Sequence, residues 1–206
     1  MATSSPLRPA LVLFAALTII CGIAYPLAVS GVASAVFPAK AAGSIVEADG
    51  KAVGSSLIGQ SFSSPQYFWG RPSATGPMPN NAAGSSGSNL GPNNPAQTDA
   101  VKTRIDALKA ADPANSAAIP VDLVTASASG LDPEISLAAA RYQASRIAAA
   151  RKIQAEQVLA LIEGRKLSQY LGFFGEPRVN VLELNLALER ASPMPVAMAG
   201  ETPAAR

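Results

Sequence analysis

The sequence predicts an α+β soluble domain carried on a single N-terminal transmembrane helix. Three observations predict it. An uncharged apolar run lies near the N-terminus. Hydrophobic spacings of both the helical and the strand kind follow it. Enough chain is left for one core: of 206 residues, about 150 lie beyond the apolar run, which suffices without disulfides or a structural metal.

Residues 1–9 form a short N-terminus, assigned to the cytoplasm. From Ala10 to Val36 no residue is charged. As a helix this segment is about 40 Å long, against about 30 Å of bilayer hydrocarbon. Residues 10–36 are therefore assigned as the transmembrane helix, with Pro26 tolerated as a mild kink. Ala33-Ser34-Ala35 resembles a signal-peptidase site. The apolar run before it exceeds the about 7–15 residues of a signal peptide's apolar region, so the segment is read as a retained anchor. Arg8 and the free amine precede the span without any acid, whereas Lys40, Lys51, Glu47 and Asp49 follow it. The positive charges on the two sides nearly balance, and the short, acid-free N-terminus favours an inside N-terminus and an extracytoplasmic C-terminal domain.

Residues 37–190 are assigned to that domain. Ser44-Ile45-Val46-Glu47 and Lys51-Ala52-Val53 flank Asp49-Gly50, a hairpin signal because a type I′ turn needs positive φ at both central positions. An extended stretch from Leu57 to Phe62 follows. Tyr67-Phe68-Trp69 contains the single tryptophan and is predicted to anchor the core, with a partner-docking surface as the second reading. Ser73 to Pro95 is dense in Ser, Gly, Asn and Pro and is predicted to be a long surface loop. It is not a phosphate-binding P-loop, since no Gly-Lys-Ser/Thr closes it.

Thr98 or Asp99 is predicted to cap a helix ending near Asp112, with Val101, Ile105 and Leu108 on one face. Ile119 to Thr125 is predicted to be a buried strand or extended segment, and Ala126 to Pro133 a small-residue loop. Ser136 is predicted to cap an alanine-rich helix from Leu137 to Arg151, on which Arg141, Arg146 and Arg151 form a solvated face. A helix from Ala155 to Glu163 stops at Gly164. Pro177 to Leu184 alternates as a closing strand, and Asn185 is predicted to cap a last helix reaching Arg190. The Pro- and Ala-rich residues 191–206 are assigned as a disordered tail.

Composition narrows the chemistry. Histidine is absent, which excludes Ser-His-Asp and Cys-His nucleophile systems. The one cysteine, Cys21, lies inside the apolar run, so no intrachain disulfide forms. A net charge of +2 gives no reason to expect a nucleic acid partner.

Six stretches in series resemble the KdpC family, the C subunit of bacterial high-affinity potassium-transporting P-type ATPases. They are Gly54–Phe62, Tyr67–Ser73, Ser86–Pro92, Pro120–Ser127, Ser129–Ser136 and Arg178–Asn185. The anchor also falls where that family has one. The resemblance implies an accessory, non-enzymatic subunit of an ATP-driven potassium import complex in the bacterial inner membrane, with its domain in the periplasm. It implies three partners: a potassium-channel-like subunit, a P-type pump subunit that hydrolyses ATP, and a small single-span subunit. It further implies an assembling and stabilising role, and an effect on the pump's affinity for ATP. ATP is the one cofactor this brings in, held through the pump subunit; no catalytic, cofactor or metal residue is assigned to this chain.

The residues expected to contact partners are Trp69, Arg71, Ser73, Ser88 and Asn89. Arg71 offers a planar fork of donors suited to carbonyls and carboxylates, and the two loop residues offer short polar groups. The loop holding Ser88 and Asn89 buries little apolar surface and is expected to need an outside surface to order it. The competing reading is an independent, membrane-anchored periplasmic hydrolase or ligand-binding protein. Such an enzyme is left with Ser-Lys or paired-carboxylate chemistry, and no Ser-x-x-Lys motif is present.

Overall fold

The computed structural model describes residues 6–194 of the chain. It divides into two units, residues 1–45 and 46–206. The first is dominated by a continuous helix over Leu7–Val36, 30 residues long and apolar enough to cross a membrane. It consists of α1 (Leu7–Ile19), a π-helical turn (Ile20–Ala24) and α2 (Tyr25–Val36). The π turn answers Pro26. Proline has no N–H to give, and its ring collides with the carbonyl four residues back. The Tyr25 N–H reaches back five residues to Ile20, so the widened turn lies just before the proline. A short helix, α3 (Pro38–Ala41), follows.

β1 (Ile45–Ala48) and β2 (Lys51–Ser55) pair in a two-stranded sheet. Asp49 and Gly50 have φ of 52° and 71°, the two positive values that the Asp-Gly pair predicted. A long irregular segment then leads to α4 (Pro95–Ala111). This helix starts before the predicted Thr98 or Asp99, because Asn94 caps it through the Ala96 N–H and Pro95 fills the first turn. Leu108 is buried, and Val101 and Ile105 pack on the core as their spacing predicted.

The stretch Ile119–Thr125, predicted as a buried strand or extended segment, is not a strand and holds a 3-10 turn over Val121–Leu123. Asp122 explains the difference: its carboxylate accepts the Ser136 N–H at 2.8 Å and the Ser136 hydroxyl at 3.2 Å. Ser136 ends β3 (Glu134–Ser136), which pairs antiparallel with β4 (Arg178–Asn180). Ile135 faces Val179 across the pair, and both are buried. Each strand passes directly into a helix through a capping side chain. Ser136 accepts the Ala139 N–H at the start of α5 (Leu137–Tyr142). Asn180 accepts the Glu183 N–H at the start of α8 (Val181–Ala191).

The predicted closing strand to Leu184, capped by Asn185, is therefore corrected: the strand stops at Asn180 and the helix begins there. Val181, Leu184 and Leu188 then share a buried helical face, a spacing that strand alternation mimics over a short stretch. The alanine-rich helix is interrupted at Gln143 into α5 and α6 (Ala144–Arg151). α7 (Ala155–Gly164) ends at the predicted glycine and packs on α5, α6 and α8, burying Val158 and Ile162 against Ile147, Leu184 and Leu188. α8 runs on through Ala191, and Ser192 accepts a bond from Arg151; the expected tail beyond residue 194 lies outside the described residues.

Phe68 is fully buried in this core. It lies in an extended segment without a strand neighbour, so its peptide groups need other partners. Asn185 supplies both for Phe68, accepting its N–H at 2.8 Å and donating to its carbonyl at 3.0 Å. Gln143 does the same for Trp69, at 2.8 and 3.1 Å. Arg146 donates to the carbonyls of Pro65 and Tyr67, and Arg151 to that of Gln66. Arg146 and Arg151 are each 5% exposed, so the predicted solvated face holds only for Arg141, which pairs with Glu163 at the surface. Burial lowers the Arg146 pKa to about 10, with Asp112 opposing the shift, and the guanidinium stays cationic at neutral pH.

Asn185→Leu conserves volume but strands two buried backbone groups, each worth about 1–3 kcal/mol when left unpaired. It is expected to lower the stability of the full chain in detergent by at least about 2 kcal/mol, while Arg141→Ala leaves the melt unchanged. An Asn185→Leu protein that melts with the parent contradicts this reading.

Candidate partner-docking site

Three of the five expected contact residues come together. Trp69 ends the clasped segment, and Arg71 and Ser73 follow it. The Trp69 backbone is held by Gln143, its indole N–H donates to the Ser64 carbonyl at 2.9 Å, and the Arg146 guanidinium lies 4.1 Å from its ring centroid. Ser73 is a loop hub. Its hydroxyl donates to the Gly130 carbonyl at 2.7 Å and accepts the N–H groups of Asn80 and Thr75, at 2.9 and 3.3 Å. Arg71 pairs with Asp132 at 3.1 Å through Nη1, yet its Nε is buried with no partner.

Trp69, Arg71 and Ser73 line one side of a cleft of about 390 Å³. Gln60, Ser61, Phe62 and Ser63 continue that side; Arg104, Ala107 and Leu108 of α4, with Leu123, form the other. Arg104 Nη1 donates to the Val124 carbonyl at 2.8 Å. Burial lowers its pKa, and no described carboxylate pairs with it.

Ser88 and Asn89 lie apart from the cleft, exposed on the outer loop. The loop is ordered by its own chain. Ser86 N–H and the Ser85 hydroxyl both donate to the Ser129 carbonyl, at 2.9 and 3.0 Å. Glycine permits the approach: a Cβ on Gly87 would sit 2.7 Å from the Ala128 carbonyl oxygen, and one on Gly130 2.6 Å from that of Ser86.

Sequence reasoning missed a second surface. Between α7 and β4 a tight turn exposes Tyr170, Leu171, Phe173 and Phe174, each more than half accessible. Tyr170 and Phe174 exchange both backbone bonds, at 3.0 and 2.9 Å, and the Phe173 and Phe174 rings lie 4.3 Å apart. Leu171 and Gly172 take φ of 54° and 81° at the tip. The signal was present: three of eleven aromatic residues fall within five positions. Exposed aromatic clusters of this kind mark association surfaces.

A helix long and apolar enough to cross a membrane, together with large side chains left in solvent, fits a subunit of a membrane complex. The comparison with known proteins agrees. The family model described as "KdpC: K+-transporting ATPase, c chain" matches residues 7–190. A Herminiimonas arsenicoxydans protein named "Potassium-transporting ATPase KdpC subunit" is 69% identical over 186 residues, covering 90% of this chain and 98% of its own. Proteins of the same name from Janthinobacterium sp. (strain Marseille) and Herpetosiphon aurantiacus are 68% and 60% identical, over 90% and 89% of this chain and 98% and 95% of theirs. The chain belongs to the KdpC family.

The hub and the outer loop separate in one experiment. Ser73→Ala removes an acceptor shared by two backbone donors and is expected to destabilise the full chain by about 1–2 kcal/mol. Ser88→Ala with Asn89→Ala is expected to leave its melting temperature unchanged. Equal melting of all three proteins refutes the hub.

Proposed function

We propose that this chain is a non-catalytic subunit that assembles and stabilises an ATP-driven potassium importer in the bacterial inner membrane, with its folded domain on the periplasmic side. The exposed aromatic turn at Tyr170–Phe174 carries this reading. A monomeric protein gains nothing by holding four large apolar side chains in water, whereas a subunit buries them at an interface. The family supplies the context, since the relatives are named as subunits of a potassium-transporting ATPase.

The partners in this reading are a potassium-channel-like subunit, whose outer face receives the domain, a P-type pump subunit that hydrolyses ATP, and a small single-span subunit. A single helix cannot encircle an ion with carbonyl groups, so the conduction path belongs to a partner. ATP is bound by the pump subunit. With the domain outside, any rise in ATP affinity caused by this chain is transmitted through the membrane part of the complex.

Purification from native membranes in mild detergent is expected to bring down two larger membrane proteins with ATPase activity. A triple variant, Tyr170→Ser, Phe173→Ser and Phe174→Ser, is expected to keep its melting temperature and lose at least about tenfold in co-purification, the scale of 1.4 kcal/mol. A periplasm-dependent reporter fused after Arg190 is expected to be active. A wild-type chain that purifies alone with hydrolytic activity overturns the proposal.

A further inference from the structure

The cleft beside α4 has a charge pattern that the fold does not complete. It is lined by two guanidinium groups, those of Arg71 and Arg104, and by no Asp or Glu. Arg71 has its own carboxylate, Asp132, but that residue lines neighbouring depressions rather than this cleft. Arg104 has none. One of its nitrogens is fixed by the Val124 carbonyl, and this bond aims the group without neutralising it. Its other donors have no protein acceptor among the described residues. Phe62, Trp69, Leu108 and Leu123 make the walls apolar, and Ser61, Ser63 and Asn80 supply polar groups at the rim.

A partly desolvated cation without a counter-charge is unfavourable, and solvent exposure relieves it only in part. A carboxylate entering the cleft would meet a held, planar donor fork, the geometry that suits bidentate recognition. The about 390 Å³ of space admits one acidic side chain and a flanking apolar residue, not a folded element.

We infer that this cleft is a socket for an Asp or Glu side chain on an extracytoplasmic loop of a partner subunit, with Arg104 as its principal receptor. The inference rests on the assembly reading above and adds the chemistry of one contact. The occupant is a protein carboxylate rather than a free anion because the cleft lining is more apolar than polar, and a partner loop fills both parts. Trp69 and Arg71 then contribute to assembly through this cleft, whereas Ser88 and Asn89, on the outer loop, do not.

The test uses the complex purified through the full-length chain. Arg104→Lys keeps the charge and introduces an amine that carbodiimide couples to a carboxylate in contact. The expected result is a crosslinked peptide joining the Arg104→Lys site to an Asp or Glu of a partner subunit, absent from the wild-type complex. Arg104→Glu is expected to reduce recovery of partner subunits at least tenfold at physiological salt, with Arg104→Lys reducing it threefold or less. Coupling of that lysine only within its own chain, while Lys102 or Lys109 couple to partners, overturns the inference. So does undiminished recovery with Arg104→Glu. Titration of the detergent-purified chain with inorganic phosphate covers the free-anion case: Arg104-dependent binding of phosphate with intact assembly assigns the cleft to a small anion instead. Unfolding of Arg104→Glu, seen as a lost melting transition, leaves the crosslink of Arg104→Lys to decide. A wild-type chain that brings down no partner defeats the assembly reading and this inference together; the other failures defeat this inference alone.

Discussion

The domain depends on how it buries a stretch of chain that belongs to no sheet. From Ser64 to Trp69, six consecutive carbonyls are each taken by a side chain: the indole of Trp69, then Arg146, Arg151, Arg146, Asn185 and Gln143 in turn. An extended segment in a core normally finds these partners in neighbouring strands. Among the described residues the sheets have only two strands each, and neither pairs with it. The amides of Asn185 and Gln143 imitate a strand edge, since each offers an acceptor and a donor to one residue.

This arrangement sets the roles of the helices. The break between α5 and α6 presents Gln143 to the segment, α6 presents Arg146 and Arg151, and α8 presents Asn185 and Glu189. Alanine at 139, 140, 144 and 148 lets these helices pack closely, so the long polar side chains reach across a thin core. The Arg151 side chain is fully buried and paired with Glu189, whose carboxyl titrates lower than usual. Burial opposes that shift, but bonds from the Met194 N–H and from Arg151 outweigh it. The network fixes Trp69 and therefore the wall of the cleft that Arg71 and Ser73 continue.

Much of this was legible where one residue type has one physical role. Asp49-Gly50 gave the turn, Ser136 the helix start, Gly164 a helix end, and the uncharged run the long apolar helix. Legibility failed where a polar residue has two uses. Asn185 resembles a cap, and Asn180, five residues earlier, is the cap; only the burial of Phe68 tells them apart. Arg146 and Arg151 resemble surface charges because sequence spacing cannot show a buried carbonyl opposite them. Asp122 turned an apparent strand into a 3-10 turn by bonding Ser136, fourteen residues away. Of the residues that line the cleft, Trp69, Arg71 and Ser73 were singled out by type. Arg104 was not, because its significance lies in the absence of a nearby acid, a property of the fold.

The claim that side chains close this segment is tested most directly by amide hydrogen exchange on the full-length chain in detergent. Phe68 and Trp69 have no strand partner, so their protection depends on Asn185 and Gln143 alone. The account predicts that both amides exchange as slowly as that of Leu188 in α8, through global unfolding. Exchange as fast as at the exposed loop residue Asn89 would contradict it.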